Sequence, residues 1–164
     1  LGIEFEVRPA DIEEIEEGAP EEVAIENARR KAEAVASPAD LVLGVDTVVS
    51  LGDRLYGKPE TTDEARATLK ALSGQTHQVT SGLCLIATND THLTKAITKV
   101  QFRGLDERTV DWYLASGEWR DRAGAYAIQG RGAALVKRIE GDYFNVVGLP
   151  VALLLELEPG LLRR

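Results

Sequence analysis

Two residues in one short stretch define the chemistry open to this sequence. Residues 44–59 read GVDTVVSLGDRLYGKP, with Asp46 inside an apolar, β-branched run and Lys58 on the turn Gly57-Lys58-Pro59. Leu41-Val42-Leu43, Val45 and Val48-Val49 predict a buried strand around the acid. A carboxylate on such a strand is costly to desolvate unless a cation, a metal or several donors receive it. Gly52-Asp53 marks a turn and Arg54-Leu55-Tyr56 a short return strand, so acid and lysine sit on constrained, neighbouring segments. One fixed acid and one fixed cation suit a metal-and-phosphate site.

Three further stretches supply candidates. The run from Asp11 to Glu17 carries Asp11, Glu13, Glu14, Glu16 and Glu17. It reads as a solvated acidic loop, and one of its carboxylates can serve as a ligand for a hard cation such as Mg²⁺. Lys31 falls on the small-residue side of a helix, with Ala24, Ala28, Ala32 and Val35. It is either a snorkelling lysine at a core edge or an ammonium aimed into a pocket. Residues 123–133, AGAYAIQGRGA, leave the backbone accessible, and Gln129 can donate and accept at once. That stretch is either a ligand-approach loop or a glycine-rich turn feeding a strand over 134–139. It has neither dinucleotide-fingerprint nor Walker spacing. His77, His92 and Cys84 lack zinc-ligand spacing, and no serine sits in a nucleophile elbow.

The elements that must position these residues follow from periodicity. Residues 3–7 alternate apolar and polar and predict a half-buried strand ended by Pro9. Pro20 to Ala36 predicts a helix, with Pro at its start and Glu21-Glu22 in its first turn. Thr61 and Glu64 form a capping box before a helix that buries Ala65, Leu69 and Leu72 and stops at Gly74. Residues 76–88 and 91–103 predict a long hairpin turning at Asn89-Asp90, with a candidate dimer surface. Asp106 caps a helix through Ala115, Gly141-Asp142-Tyr143 reads as a turn, and the apolar stretch Pro150–Leu157 predicts a buried helix. The alternation of strands and helices predicts an α/β fold: a mixed twisted sheet, flanking helices and a long antiparallel hairpin lobe, with the cleft between the central sheet and that lobe.

The whole chain sets outer bounds. Its 164 residues suit one domain, and 44% hydrophobic with 28% charged residues is ordinary globular composition. No apolar run approaches membrane-spanning length. One cysteine excludes an intrachain disulfide framework and fits a reducing cytoplasm. A net charge of −8 argues against a nucleic-acid surface, but not against a local cationic pocket for a small anion. The start at Leu1 and the lack of methionine point to residues preceding this N-terminus.

The set GVDTVV (44–49), GKP (57–59), LSG (72–74), DRAGAYAIQGRGA (121–133) and EGDYFNVVGLP (140–150), with LGIEFEVRPADIEE (1–14), resembles the Maf proteins. These are nucleoside triphosphate pyrophosphatases related in fold to the inosine-triphosphatase group. The resemblance implies that Asp46 is the catalytic carboxylate accepting a proton from the attacking water, that Glu13 and Asp46 hold a divalent metal (Mg²⁺ or Mn²⁺), and that Lys31 and Lys58 meet the triphosphate. It further implies that Thr47 and Gln129 belong to the dTTP/UTP-preferring subfamily, and that the protein is a homodimer. It also implies an upstream strand and a Ser-x-Ser-Pro-Arg-Arg phosphate loop, which this sequence does not contain. The expected reaction is hydrolysis of dTTP or UTP to the monophosphate and pyrophosphate. Two readings compete: a nucleotide-binding regulator of septum formation with little hydrolysis, and a cleaner of inosine triphosphate.

Overall fold

The computed structural model describes residues 2–38, 40–88 and 90–163. Its frame is a five-stranded sheet of β1 (Val42–Leu51), β2 (Arg54–Tyr56), β3 (Thr76–Ala87), β4 (Asp90–Phe102) and β5 (Val136–Glu140). The strands lie in the order β2-β1-β3-β4-β5. Every pairing among the described residues is antiparallel, where the sequence pattern suggests a mixed sheet. The long hairpin is present as β3 and β4, but it forms the middle of this sheet rather than a separate lobe. Asn89, half of its expected turn, lies outside the described residues.

Helix α1 (Pro20–Val35) covers one face of the sheet. Its buried Ala24, Ala28 and Ala32 recur every four residues, so they form one smooth stripe along the helix. Two strand glycines receive that stripe. A Cβ on Gly44 would stand 2.2 Å from the Ala28 carbonyl oxygen, and one on Gly82 would stand 2.2 Å from that of Ala24. Such close approach brings the polar residues of α1 within reach of β1.

The opposite face carries the main core. There Val49, Val79, Val100 and Phe102 meet α2 (Thr62–Leu72) and α3 (Glu107–Leu114). Thr61 caps α2, its hydroxyl accepting from the Glu64 N–H at 3.2 Å, while the Glu64 carboxylate reaches back to the Glu60 N–H at 2.9 Å. Asp106 caps α3 through the Thr109 N–H. Ala65, Leu69 and Leu72 are buried as their spacing predicts.

Three expectations are corrected. Residues 3–7 make no strand pairing, and Phe5 and Val7 are exposed. Alternation is necessary for a half-buried strand but does not supply an edge to pair with. The turn expected at 141–143 instead opens a short helix, α4 (Tyr143–Val147), with Asp142 accepting from the Phe144 N–H. The last helix, α5 (Val151–Leu157), buries Leu154 alone. An outer-layer helix buries only one stripe however apolar it is, and here that stripe lies on Leu43, Val45, Leu83 and Leu85.

Candidate active site

Asp46 is 8% exposed and points to the α1 side of β1. Its Oδ1 accepts from the Lys31 ammonium at 2.5 Å, and its Oδ2 accepts from the Asn27 amide at 3.2 Å. Both partners come from the same face of α1, one turn apart, which follows from the four-residue spacing of 27 and 31. Lys31 also bonds Glu14 Oε1 at 2.7 Å, and Lys58 lies 4.0 Å from Glu14 Oε2. Two carboxylates and two ammonium groups thus alternate across the site.

The charge states follow from these contacts. Burial works against the Lys31 ammonium, but its bonds to Asp46 and Glu14 outweigh that and hold its pKa above the ordinary lysine value. The Lys31 bond in turn keeps the Glu14 carboxyl below the usual carboxylate range. Lysine is therefore charged and Glu14 ionised at neutral pH.

A cavity of about 240 Å³ opens beside these groups, its lining including Lys31, Asp46, Thr47, Lys58, Arg122 and Tyr126. It wraps the part of β1 beyond the reach of β2, which pairs only with residues 49–51. The Thr47 hydroxyl bonds Ser81 Oγ at 2.8 Å, and Ser81 reaches the Asn145 carbonyl at 3.4 Å. One wall is the loop 121–125, where Asp121 and Ala125 adopt φ of 57° and 59°. Each such residue costs on the order of 1 kcal/mol, and strain of this kind gathers where surrounding structure fixes a functional loop. The Gly124 N–H donates to the Gly57 carbonyl at 3.2 Å, tying this loop to the Lys58 turn.

The structure thus gathers Asp46, Thr47, Lys31 and Lys58 at one cavity. Glu13 and Gln129 stand elsewhere. Glu13 is exposed and offers its backbone carbonyl to Arg30 at 3.4 Å, whereas its neighbour Glu14 is the acid that reaches the lysines. Gln129 is exposed, precedes the turn Gly130–Leu135, and is not among the lining residues. Asn27, Glu14 and Arg122 are members that sequence reasoning did not single out. Glu14 was one of five acids in the candidate run 11–17, Arg122 lay inside the segment 121–133, and Asn27 left the signal of a polar residue four positions before Lys31 on a packed helix face.

Among the described residues no three His, Cys, Asp or Glu side chains cluster as a metal centre. Glu14 and Asp46 nevertheless both bond one cation, the Lys31 ammonium. Two converging hard oxygen donors fit Mg²⁺, which commonly binds one or two protein carboxylates and completes its shell with phosphate and water.

Comparison with known proteins places the chain in a family. A family model described as Maf, Maf-like protein, matches residues 1–158. A Pyrococcus furiosus protein named dTTP/UTP pyrophosphatase is 46% identical over 155 residues, covering 92% of this chain and 82% of that one. Proteins of the same name from Geobacillus sp. and Thermococcus kodakarensis are 47% and 44% identical, covering 92% and 94% of this chain and 83% and 85% of their own. With a family match along nearly the whole chain and relatives this similar over most of their length, the protein belongs to the Maf family.

Proposed function

We propose that this protein is a nucleoside triphosphate pyrophosphatase that hydrolyses dTTP and UTP to the monophosphate and pyrophosphate. The observation that carries this reading is the buried Asp46 carboxylate, held between Lys31 and Asn27 at a cavity that Lys58 also lines. The names of the relatives supply the nucleotide class.

A triphosphate brings about four negative charges, so cations must neutralise it before a nucleophile approaches. Lys31 and Lys58 bind phosphate oxygens, and Arg122, at the cavity rim, faces the same ligand. Asp46 accepts a proton as a water oxygen bonds to the α-phosphorus. The α–β bridging bond breaks and pyrophosphate leaves with its electron pair. Glu14 and Asp46 would hold a divalent metal, which when bound neutralises phosphate charge and polarises the phosphoryl group. Glu14 is the closer acid of its stretch, with Glu13 beside it. Thr47, which lines the cavity and bonds Ser81, and Gln129 are the two specificity candidates.

Asp46→Asn tests the assignment while preserving shape. Loss of a general base costs about 10²–10⁴-fold in turnover. The expected result is a kcat lowered on that scale with nucleotide binding retained. Near-normal turnover removes Asp46 from the mechanism. Nucleotide binding by wild-type protein without any pyrophosphate release favours the regulatory reading.

A further inference from the structure

Asn27 is 1% exposed and uses every polar atom of its side chain. Its Oδ1 accepts from the Ile15 N–H at 2.8 Å, and its Nδ2 donates to the Ile15 carbonyl at 3.0 Å and to Asp46 Oδ2 at 3.2 Å. The two bonds to Ile15 imitate one rung of a sheet ladder, with a side-chain amide in place of a strand. The segment thus held, residues 11–16, has no regular secondary structure of its own. Its other described ties to α1 are the Glu14–Lys31 ion pair and the Arg30 bond to the Glu13 carbonyl, both at least partly open to solvent.

We propose that Asn27 is a positioning residue that latches the acidic loop to the catalytic strand, fixing Glu14 and Asp46 at one separation for a shared divalent cation. The inference rests on the proposed activity and deepens it. Residues 11–16 have no ladder bonds of their own to fix the Glu14 carboxylate, and Asn27 supplies two fixed bonds to their backbone from a packed helix. The same amide orients Asp46, so the two metal-side carboxylates share one anchor. Outer-shell partners of this kind typically contribute 10–100-fold to metal affinity.

The experiment compares wild-type protein with Asn27→Leu, which is close in volume and lacks the amide. Amide hydrogen exchange at Ile15, Mn²⁺ binding by paramagnetic titration, and metal dependence of turnover are measured on both. In wild-type protein the Ile15 amide exchanges slowly. In Asn27→Leu that protection is lost, Mn²⁺ binds about tenfold or more weakly, and the half-saturating metal concentration rises more than kcat falls. A merely structural role lowers the folded fraction and leaves the Mn²⁺ dissociation constant unmoved, which overturns the proposal. Free exchange at Ile15 in wild-type protein overturns it without any variant. Because exchange and Mn²⁺ binding are read without turnover, a wild-type protein that binds Mn²⁺ but releases no pyrophosphate overturns the activity and not the latch.

Discussion

Lys31 ties the stability of the buried Asp46 to the proposed chemistry. Its ammonium is the only charged group bonded to Asp46 among the described residues, so removing it leaves a buried carboxylate with one amide donor. Breaking a buried pair from one side costs about 3–5 kcal/mol, mostly from the charge left behind. Lys31 is still partly exposed, and solvent screening brings the effect to or below the bottom of that range. Lys31→Met is therefore expected to lower the unfolding free energy by about 2–3 kcal/mol and to raise KM for the nucleotide. Denaturant unfolding and steady-state kinetics check both, and an unchanged unfolding midpoint contradicts the ion-pair account. Asp46 was legible in the sequence because a lone acid in a β-branched run demands a partner. Glu14 was not, because adjacent carboxylates in an aperiodic loop differ only in where the backbone turns them.

At the scale of elements, the site depends on how closely α1 lies on β1 and β3. Gly82 is the register partner of Asp46, and a Cβ there would meet the Ala24 carbonyl and the Ile25 nitrogen. These are backbone atoms of a helix and cannot rotate aside. Gly82→Ala is expected to lift α1, to cost about 1–3 kcal/mol or more as overpacking does, and to lower kcat because Asn27 and Lys31 move with the helix. Thermal melts and turnover on the same preparation test this. Full stability with full activity contradicts the close packing. The alanine stripe of α1 was readable from its spacing, but its glycine receivers on two different strands were not, since nothing local pairs 44 and 82 with that helix. Helix α4 was missed for a related reason. Five residues present too little periodicity, and the Asp142 cap resembles a turn until the chain after it is seen.

At the scale of the molecule, His77 joins the sheet to the cavity wall. It is fully buried, its ring meets Phe102 edge-on at 4.8 Å, and its Nε2 lies 2.8 Å from the Tyr126 hydroxyl. Burial pushes its pKa down from 6.5 to about 4. The folded protein thus keeps the imidazole neutral while the unfolded chain takes up a proton below 6.5. Its contribution to stability is intact above that pH and is lost as pH falls toward about 4. Over the whole window it amounts to about 3 kcal/mol. His77→Phe should flatten the acid side of a Tm–pH profile between those limits, and an equally steep profile in the variant contradicts the assignment. The α/β class, the long hairpin and the principal helices were legible because each has a strong period or a cap. The antiparallel order of the sheet was not, because strand direction is set by long-range pairing that no single segment encodes. For the same reason the cavity lies around β1 and α4 rather than between the central sheet and a hairpin lobe.

The reaction proposed for the Asp46 cavity is cleavage of a pyrimidine nucleoside triphosphate between its α and β phosphates. The most direct measurement incubates the protein with Mg²⁺ or Mn²⁺ and dTTP, UTP, CTP, ITP or 7-methyl-GTP, and quantifies pyrophosphate and orthophosphate separately. Pyrophosphate and the monophosphate in equal amounts from dTTP and UTP, with little from the purine nucleotides, is the predicted result. Orthophosphate as the first product, or no release from any nucleotide that binds, would contradict it.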